Sequence, residues 1–466
     1  MGGERTEIQS GELENQRKIM ARVRARGGSA PRRAHVATFG CQQNESDSER
    51  LRGMLLEMGY SLTDSIAEAD VIVLNTCAVR EHAEAKVFGV VGALTHKKRE
   101  SPDAVIAVCG CMAQRRDVAD RIKNSYKHVE LVFGTHALWR FPELLEGVLD
   151  TRERVFSVDA SPGAIAEGLP LARDGSYKAW LSVMYGCDNF CAYCIVPYVR
   201  GRERSRRPEM ILADARRLVS EGYKDITLLG QNVNSYGRGL DESIDFPDLL
   251  RRLNGIDGEF LLRFMTSHPK DAGEQLFAAM ASCEKVARHI HLPFQAGSDR
   301  VLRAMNRGYT RARYLELTDM ARRAMPGIVL TSDVIVGFPG ETEADFEDTL
   351  RLIEEARFDA LFTFLYSKRP GTPAAELPDG ASREEKQRRF DRLLALQNAI
   401  SGEKHAAYLG KTLRVLADTE TGDAEYPVSG RTNGNRLVRL RGGELGAFAD
   451  VKITGGGTWS LTGEVI

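Results

Sequence analysis

The sequence predicts an α/β protein with an N-terminal open parallel sheet, a central partial (β/α)6 barrel and a small C-terminal β-barrel. Three observations support this order. Short apolar runs alternate with helical periodicity over residues 35–133, the same alternation recurs over 179–366, and short strands between Gly and Asn turns fill the tail. A chain of 466 residues is also too long for one ordinary domain.

Composition excludes several classes of protein. Hydrophobic residues make up 42% and charged residues 28% of the chain, which supplies several buried cores and excludes global disorder. No apolar run approaches the roughly 20 residues that cross a bilayer, and the N-terminus is charged, so we expect no membrane span, no secretory signal and a cytoplasmic protein. The net charge of -1 means that an anionic partner must be bound by a local basic patch.

The N-terminal segment, 1–33, differs from the rest of the chain. It lacks hydrophobic periodicity, and residues 16–33 carry seven basic side chains and no acidic one. This pattern predicts a flexible basic arm, and the alternative is a solvated extension without a role.

Residues 34–150 are predicted to form the N-terminal sheet domain. The predicted strands are 35–39, 71–74, 104–108 and 129–133, with helices at about 46–58 and 80–99. Because crossovers between parallel strands are right-handed, this order predicts helices on both faces and a ligand-binding edge at the carboxyl ends of the strands. Residues 151–177 are predicted to be a linker, since 162–176 is rich in Gly, Pro and Ala.

Residues 178–405 are predicted to form the central barrel. The predicted strands are 179–185, 225–229, 260–266, 289–293, 329–335 and 360–366, with a helical segment between each strand and the next. Six βα units correspond to three quarters of a (β/α)8 barrel, and an open-sided barrel can admit a large substrate.

Residues 406–466 are predicted to form the small β-barrel. The predicted strands are 413–417, 425–430, 436–440, 449–453 and 459–464. Residues 431–441 carry four arginines and no acid, which indicates nucleic-acid binding, although a solvated barrel face would show the same pattern.

Three of the eight cysteines, Cys187, Cys191 and Cys194, form a CxxxCxxC motif directly after the first barrel strand. In a reducing compartment such thiols favour metal or redox chemistry over disulfides. Three thiolates can bind three irons of a 4Fe-4S cube and leave the fourth iron open to a substrate. A zinc site would need a fourth ligand and usually shows CxxC pairs. The spacing resembles the radical S-adenosylmethionine (SAM) superfamily.

A second set, Cys41, Cys77 and Cys111, follows three predicted strands of the N-terminal sheet. Thiols at neighbouring strand ends can meet at the carboxyl edge, so a second three-cysteine 4Fe-4S cluster is predicted there. The alternative is three unrelated buried cysteines. Cys109 competes with Cys111 for the third position, but Cys109 still lies in the apolar strand, whereas Cys111 follows a Gly as Cys41 does.

Together these residues resemble the methylthiotransferase family from residue 35 to the C-terminus. Four further segments carry the resemblance: Leu-Leu-Gly-Gln-Asn-Val-Asn-Ser-Tyr-Gly237, Ser-His-Pro-Lys270, His-Leu-Pro-Phe-Gln-Ala-Gly-Ser298 and Asp-Val-Ile-Val-Gly-Phe-Pro-Gly-Glu341. The first of them resembles the branch that acts on isopentenylated adenosine in tRNA. The nearest alternative is a sister branch, which acts on threonylcarbamoyladenosine in tRNA or on an aspartate of a ribosomal protein.

The resemblance implies cofactors, partners and site residues. It implies two 4Fe-4S clusters, two uses of SAM (sulfur methylation and radical hydrogen abstraction), a C-terminal RNA-contacting TRAM domain, and an electron donor such as flavodoxin or ferredoxin. We expect a monomer. Tyr193 would lie against the adenine of SAM, with loop packing as its alternative role. Similarity also suggests that further residues line the SAM pocket: Gln231, Gln295, Ser298, Asp333 and Gly337. The arginines of 200–207 fit phosphate steering, SAM contacts or a solvated loop.

Overall fold

The computed structural model describes residues 7–27, 31–78, 81–158, 163–173, 175 and 177–466. Parts of the predicted arm (1–6 and 28–30) and of the predicted linker (159–162, 174 and 176) therefore lie outside the described residues. The chain divides into two compact units. The first contains residues up to 174 with 184–188 and 194–206, and the second contains 175–183, 189–193 and 207–466.

A six-stranded parallel sheet in the order β2-β1-β3-β4-β5-β6 organises the first unit. Its strands are β1 (Arg32–Thr38), β2 (Tyr60–Leu62), β3 (Val71–Thr76), β4 (Val105–Gly110), β5 (Leu131–Phe133) and β6 (Val155–Ser157). Every residue of β3 and β4 is buried, as continuous apolar runs in a sheet covered on both faces predict. The predicted open parallel sheet is confirmed, and two short edge strands, β2 and β6, extend it.

Helices cover both faces of this sheet. They are α1 (Ser10–Ala25), α2 (Gln42–Glu57), α3 (Glu81–Glu100), α4 (Arg116–Ser125) and α5 (Phe141–Thr151), while the short helix α6 (Val196–Arg200) packs beside Ala78 and Cys111. One core packs α1, α2 and α5 on one face, and a second core packs α3 and α4 on the other. A two-stranded antiparallel pair, β8 (Met184–Tyr185) with β9 (Arg204–Ser205), completes the first unit. The strand that precedes β8, β7 (Lys178–Ser182), belongs to the second unit.

The predicted flexible arm is wrong for residues 10–25, which form helix α1. Ile19, Met20 and Val23 are buried in the first core, so one face of the helix is apolar although basic residues surround it in the sequence. Two of the basic residues, Arg22 and Arg26, have carboxylate partners on α5, and Arg22 donates two hydrogen bonds to Glu146 at 3.0 and 2.7 Å. The predicted linker also begins too early, because β6 lies inside it.

Six parallel strands form the central part of the second unit, as predicted. They are β7 (Lys178–Ser182), β10 (Asp225–Leu229), β11 (Leu261–Phe264), β12 (His289–His291), β13 (Val329–Val336) and β14 (Ala360–Leu365). The first three pair as β11-β10-β7 and the last three as β12-β13-β14. A parallel bridge between Leu262 and Val286 continues the order from β11 towards β12. The helices between and after these strands are α7 (Pro208–Ser220), α8 (Phe246–Asn254), α9 (Glu274–Ser282), α10 (Asp299–Ala304), α11 (Arg311–Ala324), α12 (Glu343–Ala356) and α13 (Arg383–Ala406).

The C-terminal strands close into a barrel in the order β15-β16-β17-β19-β18, which confirms the predicted small β-barrel. They are β15 (Thr412–Glu420), β16 (Val428–Thr432), β17 (Leu437–Arg441), β18 (Phe448–Gly456) and β19 (Leu461–Val465). Apolar residues from several of these strands, such as Val415, Val438 and Val451, are buried in the interior of the barrel. No helix in the described part of the chain is long and apolar enough to cross a bilayer.

The turn between β16 and β17 packs at the amino ends of the parallel strands. Arg263 donates hydrogen bonds to the carbonyls of Thr432 (2.9 Å) and Asn433 (3.0 Å), and its Nε pairs with Asp225 at 2.7 Å. A Cβ at Gly434 would lie 2.6 Å from Val329, so this turn approaches β13 too closely for a larger residue. The C-terminal barrel is therefore held against the parallel strands by buried polar contacts.

Arg436 is buried and forms an ion pair with Asp359, which precedes β14. Asp359 also accepts hydrogen bonds from the Leu330 amide (2.8 Å) and Lys404 (3.1 Å). Arg436 therefore stabilises the packing of the C-terminal barrel. The basic pattern of 431–441 suggested that Arg436 belongs to a phosphate-binding surface, but its side chain is buried and paired with Asp359 instead.

Candidate functional site

Cys41, Cys77 and Cys111 lie just beyond the carboxyl ends of β1, β3 and β4, which are neighbours in the sheet. The register pairs Thr38 with Asn75 and Thr76 with Gly110, so the three strands end at the same edge. The sheet topology thus brings the three predicted residues to one edge, where parallel sheets bind ligands.

Asn44 lies between the thiols. Its Oδ1 is 3.4 Å from Cys41 Sγ and 4.0 Å from Cys111 Sγ, while its amide nitrogen donates to Asn75 Oδ1 (3.1 Å) and the Thr76 carbonyl (2.9 Å). A hydrogen bond from Cys77 lowers the pKa of Cys41 to about 5, with a further contribution from the charge of Arg200, while burial opposes the shift. Two of the three sulfur atoms, those of Cys41 and Cys111, therefore lie beside one buried amide, and Cys77 interacts with Cys41.

Cys109 occupies a different environment from Cys111. Cys109 lies inside β4 in the apolar core, and burial raises the pKa of its thiol. The chain then turns at Gly110, whose φ is +94° and where a Cβ would contact Asn75 and the Thr76 backbone. This turn directs the chain towards the site at Cys111, which supports Cys111 as the third thiol.

Arg200 connects the segment after the CxxxCxxC motif to the three thiols. Its Nε donates to Cys111 Sγ at 3.1 Å, and its Nη2 donates to Asp47 at 2.8 Å and to Asn44 Oδ1 at 3.3 Å. Burial disfavours the guanidinium charge, but the neighbouring Cys111 and Asp47 raise the pKa of Arg200 above its ordinary value. The charge of Arg200 favours the thiolate forms of Cys41 and Cys111, but burial outweighs it at Cys111 and raises the pKa of that thiol to about 11.

The other arginines of 200–206 have intramolecular acceptors as well. Arg206 is buried and pairs with Glu167 at 2.7 Å, Arg202 pairs with Asp188 at 2.7 Å, and Arg204 donates to the Arg200 carbonyl at 3.1 Å. Arg200, Arg202 and Arg206 are thus paired with carboxylates within the first unit. Phosphate steering and SAM contacts by this run stay predictions.

The CxxxCxxC motif, which begins after Gly186, contributes Cys191 and Tyr193 to the second unit. Arg307 is buried, and its Nη1 lies 3.3 Å from Cys191 Sγ and 3.5 Å from the Tyr193 hydroxyl. The Ala192 amide donates to the Met305 carbonyl at 2.9 Å, and Tyr193 packs against a core that includes Phe338. These contacts fix this part of the motif in place.

Cys187 and Cys194 belong to the first unit. Cys187 is buried and donates its amide to the Gly201 carbonyl at 3.2 Å, and Cys194 is half-buried. Gly186 has a φ of +78°, and a Cβ there would contact the Arg202 backbone. The start of the motif therefore requires glycine.

Two predicted SAM-pocket residues contact each other at the carboxyl ends of β12 and β13. The backbone N–H of Gln295 donates to the backbone carbonyl of Asp333 at 2.9 Å. The side chain of Asp333 lies with its Oδ1 3.3 Å from His291 Nε2. Gly337 follows β13 with a φ of +75° and donates its amide to Glu341 at 2.7 Å. Strand ends are where ligands bind in such folds, so these positions fit a pocket.

Ser298 and Gln231 are placed differently. The Ser298 hydroxyl donates to Asp345 at 2.6 Å. Burial would raise the pKa of Asp345, but hydrogen bonds from Arg300, Ser298 and Thr342 hold it well below its usual range. Ser298 thus supports the start of α12. Gln231 follows β10 and is half-buried.

His268 and Arg307 are candidate site residues that the sequence pattern did not single out. His268 Nδ1 accepts a hydrogen bond from the Lys270 amide at 3.2 Å, and its ring lies edge-on to Tyr309 at 5.8 Å. Burial, with the charges of Arg307 and Lys270, lowers the pKa of His268 to about 2. His268 is therefore neutral, with its proton on Nε2. Its Ser-His-Pro-Lys segment was the one available signal.

Within the described ranges, no three His, Cys, Asp or Glu side chains converge on a point as the ligands of a single metal ion do. Thiolates that bind different irons of a cube have no such common point, so the arrangement around Asn44 is compatible with a cluster. The donor set at both places is cysteine, which is the usual ligand of iron–sulfur clusters.

Family models match three segments: Radical SAM superfamily over 181–353, Uncharacterized protein family UPF0004 over 33–134, and TRAM domain over 406–466. A tRNA-2-methylthio-N(6)-dimethylallyladenosine synthase from Acetivibrio thermocellus is 51% identical over 92% of this chain and 90% of its own length. The synthase of the same name from Alkaliphilus oremlandii is 52% identical over 92% of each chain. The chain belongs to this synthase family.

Membership of the synthase family agrees with the fold. A radical SAM methyltransferase, TsrM, from Kitasatospora setae aligns with a TM-score of 0.54 and 16% identity over 74% of this chain and 77% of that one, which shows the fold alone. The radical SAM match implies that the synthase family uses SAM and a 4Fe-4S cluster.

We expect Arg200→Gln to lower the free energy of unfolding by about 3 kcal/mol, because it leaves the Asp47 carboxylate buried without its charge partner. The double variant Asp47→Asn/Arg200→Gln should recover part of this loss. Arg202→Gln, which breaks a half-exposed pair, should cost no more than about 1 kcal/mol. Urea unfolding of the four proteins measures these values, and equal losses at Arg200 and Arg202 would contradict the role of the buried pair.

Proposed function

We propose that this chain adds a methylthio group to C2 of N6-isopentenyladenosine next to the anticodon of tRNA. The observation that carries the proposal is the grouping of Cys41, Cys77 and Cys111 at one edge of the parallel sheet, in a chain that also contains the radical SAM motif. A second thiol set distinguishes this chain from an enzyme that only cleaves SAM. The names of the synthases that it resembles support the choice of substrate.

Two 4Fe-4S clusters are proposed, one held by each set of thiols. Cys41, Cys77 and Cys111 would hold the first, and Cys187, Cys191 and Cys194 the second. When bound, the clusters and SAM supply the sulfur, the methyl group and the hydrogen abstraction needed at an adenine C2–H, which is too weak an acid for an ordinary base.

The protein's own residues position these groups and exclude water. Arg307 holds Cys191 and Tyr193 in a fixed relation, and this supports Tyr193 as a surface for the adenine of SAM. The neutral His268 offers an Nε2–H donor at the carboxyl end of β11. Gln231, Gln295, Asp333 and Gly337 remain proposed pocket residues, while the Ser298 hydroxyl acts mainly through Asp345.

Arg439 and Arg441 are the proposed contacts to tRNA phosphates. Both flank Tyr426, with guanidinium carbons 5.2 and 5.4 Å from its ring centre, and both pair with acidic residues on the barrel surface. Exposed ion pairs contribute little stability, so phosphates can replace these carboxylates. We also propose a cytoplasmic monomer that receives electrons from a flavodoxin or ferredoxin.

Anaerobic reconstitution followed by assay on two tRNAs tests the proposed function. Isopentenylated tRNA should give a methylthio nucleoside by mass spectrometry, and the same tRNA without the isopentenyl group should give little or none. Product on threonylcarbamoylated tRNA instead would assign the chain to a sister activity. SAM cleavage with no methylthio product on any tRNA would contradict the proposal.

The double variant Arg439→Gln/Arg441→Gln should weaken tRNA binding and reduce the slope of log K against log salt by about 1 to 2, because each lost phosphate contact removes one counterion-release contribution. Arg436→Gln is the matched control. It should lower thermal stability, since it breaks the buried pair with Asp359, and leave the salt slope unchanged. Binding titrations at three salt concentrations measure this, and an unchanged slope in the double variant would remove these arginines from the RNA surface.

A further inference from the structure

Strand β14 exposes two large aromatic side chains on one face. Phe362 is 51% and Phe364 is 43% exposed, and as alternate residues of a strand they lie on the same side. Leu361, on the opposite side, is buried. The register places Phe362 beside Asp333 and Phe364 beside Ile335 of β13. The aromatic face of β14, Phe362 and Phe364, is therefore the face that Asp333 shares.

Polar residues of the candidate site border this aromatic face. The His291 ring lies edge-on to Phe362, with ring centres 5.6 Å apart and an interplanar angle of 77°. His291 Nε2 is 3.3 Å from Asp333 Oδ1. The aromatic face is thus continuous with the polar end of β12 and β13.

The same face leads towards the cysteine motif. Tyr366 is the next residue on this side, and its amide continues the pairing to Val336 at 2.9 Å. Tyr366 and Tyr193 pack against the same core, which contains Ala192 and Phe338. Within the second unit, the aromatic face therefore runs along β14 to the Cys191–Tyr193 part of the motif.

An apolar surface beside a polar reaction site favours the binding of a ligand that carries an apolar group. Leaving two phenyl rings half-exposed forfeits hydrophobic stabilisation that a covering group would restore. Under the proposed function, the substrate differs from unmodified tRNA by one five-carbon, wholly apolar substituent. Phosphates and base edges, by contrast, are bound by charged and polar side chains.

We propose that Phe362 and Phe364 form the contact surface for the isopentenyl group of the target nucleoside. This inference rests on the proposed function and assigns its substrate selectivity to β14. A single methylene in a hydrophobic pocket discriminates by roughly 10- to 200-fold, so partial contact with a five-carbon group is enough for a selectivity of at least that order. The proposal therefore assigns the selectivity for isopentenylated tRNA to apolar side chains of β14.

Binding of anticodon stem-loops to the reconstituted protein tests this assignment. Fluorescence anisotropy gives the affinity for a stem-loop with the isopentenyl group and for the same RNA without it. Phe362→Ala and Phe364→Ala should each lower affinity for the isopentenylated RNA by roughly tenfold and leave affinity for the unmodified RNA within twofold. Phe362→Leu and Phe364→Leu should keep most of the preference, since leucine retains an apolar surface. Trp459→Ala, which removes a 69% exposed aromatic from the C-terminal barrel, is the control and should leave the preference unchanged.

Two results would overturn the inference. Equal losses for both RNAs would indicate base stacking, and an unchanged preference in the alanine variants would place the isopentenyl contact elsewhere. Iron content and circular dichroism identify a misfolded alanine variant. In that case the affinities of Phe362→Leu and Phe364→Leu for the two RNAs are compared with those of the wild type, and a loss for both RNAs alike would overturn the inference. Methylthio product from the wild type together with an unchanged preference would refute the inference alone. Absence of product from the wild type would refute the proposed function.

Discussion

The hydrogen bonds of Arg200 to Cys111, Asn44 and Asp47 are the contacts on which the N-terminal thiol arrangement depends. Asn44 touches two of the three cysteines, so a shift of Arg200 would alter their spacing. Arg200 lies only six positions after Cys194, the last cysteine of the other set. One buried cation thus joins the segment that follows the radical SAM motif to the thiols of the parallel sheet.

Much of the fold and both thiol sets could be predicted from the sequence, because the responsible signals are local. The runs that became β3 and β4 are buried on both faces, so they read as continuous apolar segments. Cys77 and Cys111 each follow such a run, Cys41 follows the half-buried β1, and parallel pairing brings these strand ends to one edge. The six central strands and the five strands of the C-terminal barrel were also predictable, because each is a short apolar run between turn residues.

The remaining features depend on partners far away in the sequence. The sequence of helix α1 predicts a charged arm because the carboxylates that pair with Arg22 and Arg26 lie on α5, more than a hundred residues later. The arginines 200–206 and Arg436 looked available for phosphates, yet Arg200 pairs with Asp47 and Arg436 with Asp359. The sequence shows that a run is basic, but it does not show which carboxylates pair with that run in the folded protein. The exposure of Phe362 and Phe364 is likewise a property of the folded barrel.

The division of chemistry between the two thiol sets is tested most directly with Cys77→Ala. After anaerobic reconstitution this variant should hold about four irons instead of about eight, still convert SAM to 5′-deoxyadenosine, and give no methylthio product on isopentenylated tRNA. Cys109→Ala, which changes a core cysteine that takes no part in the site, should keep the iron content and the product. Retention of all the iron or of the methylthio product in Cys77→Ala, or loss of SAM cleavage with four irons still bound, would contradict the account.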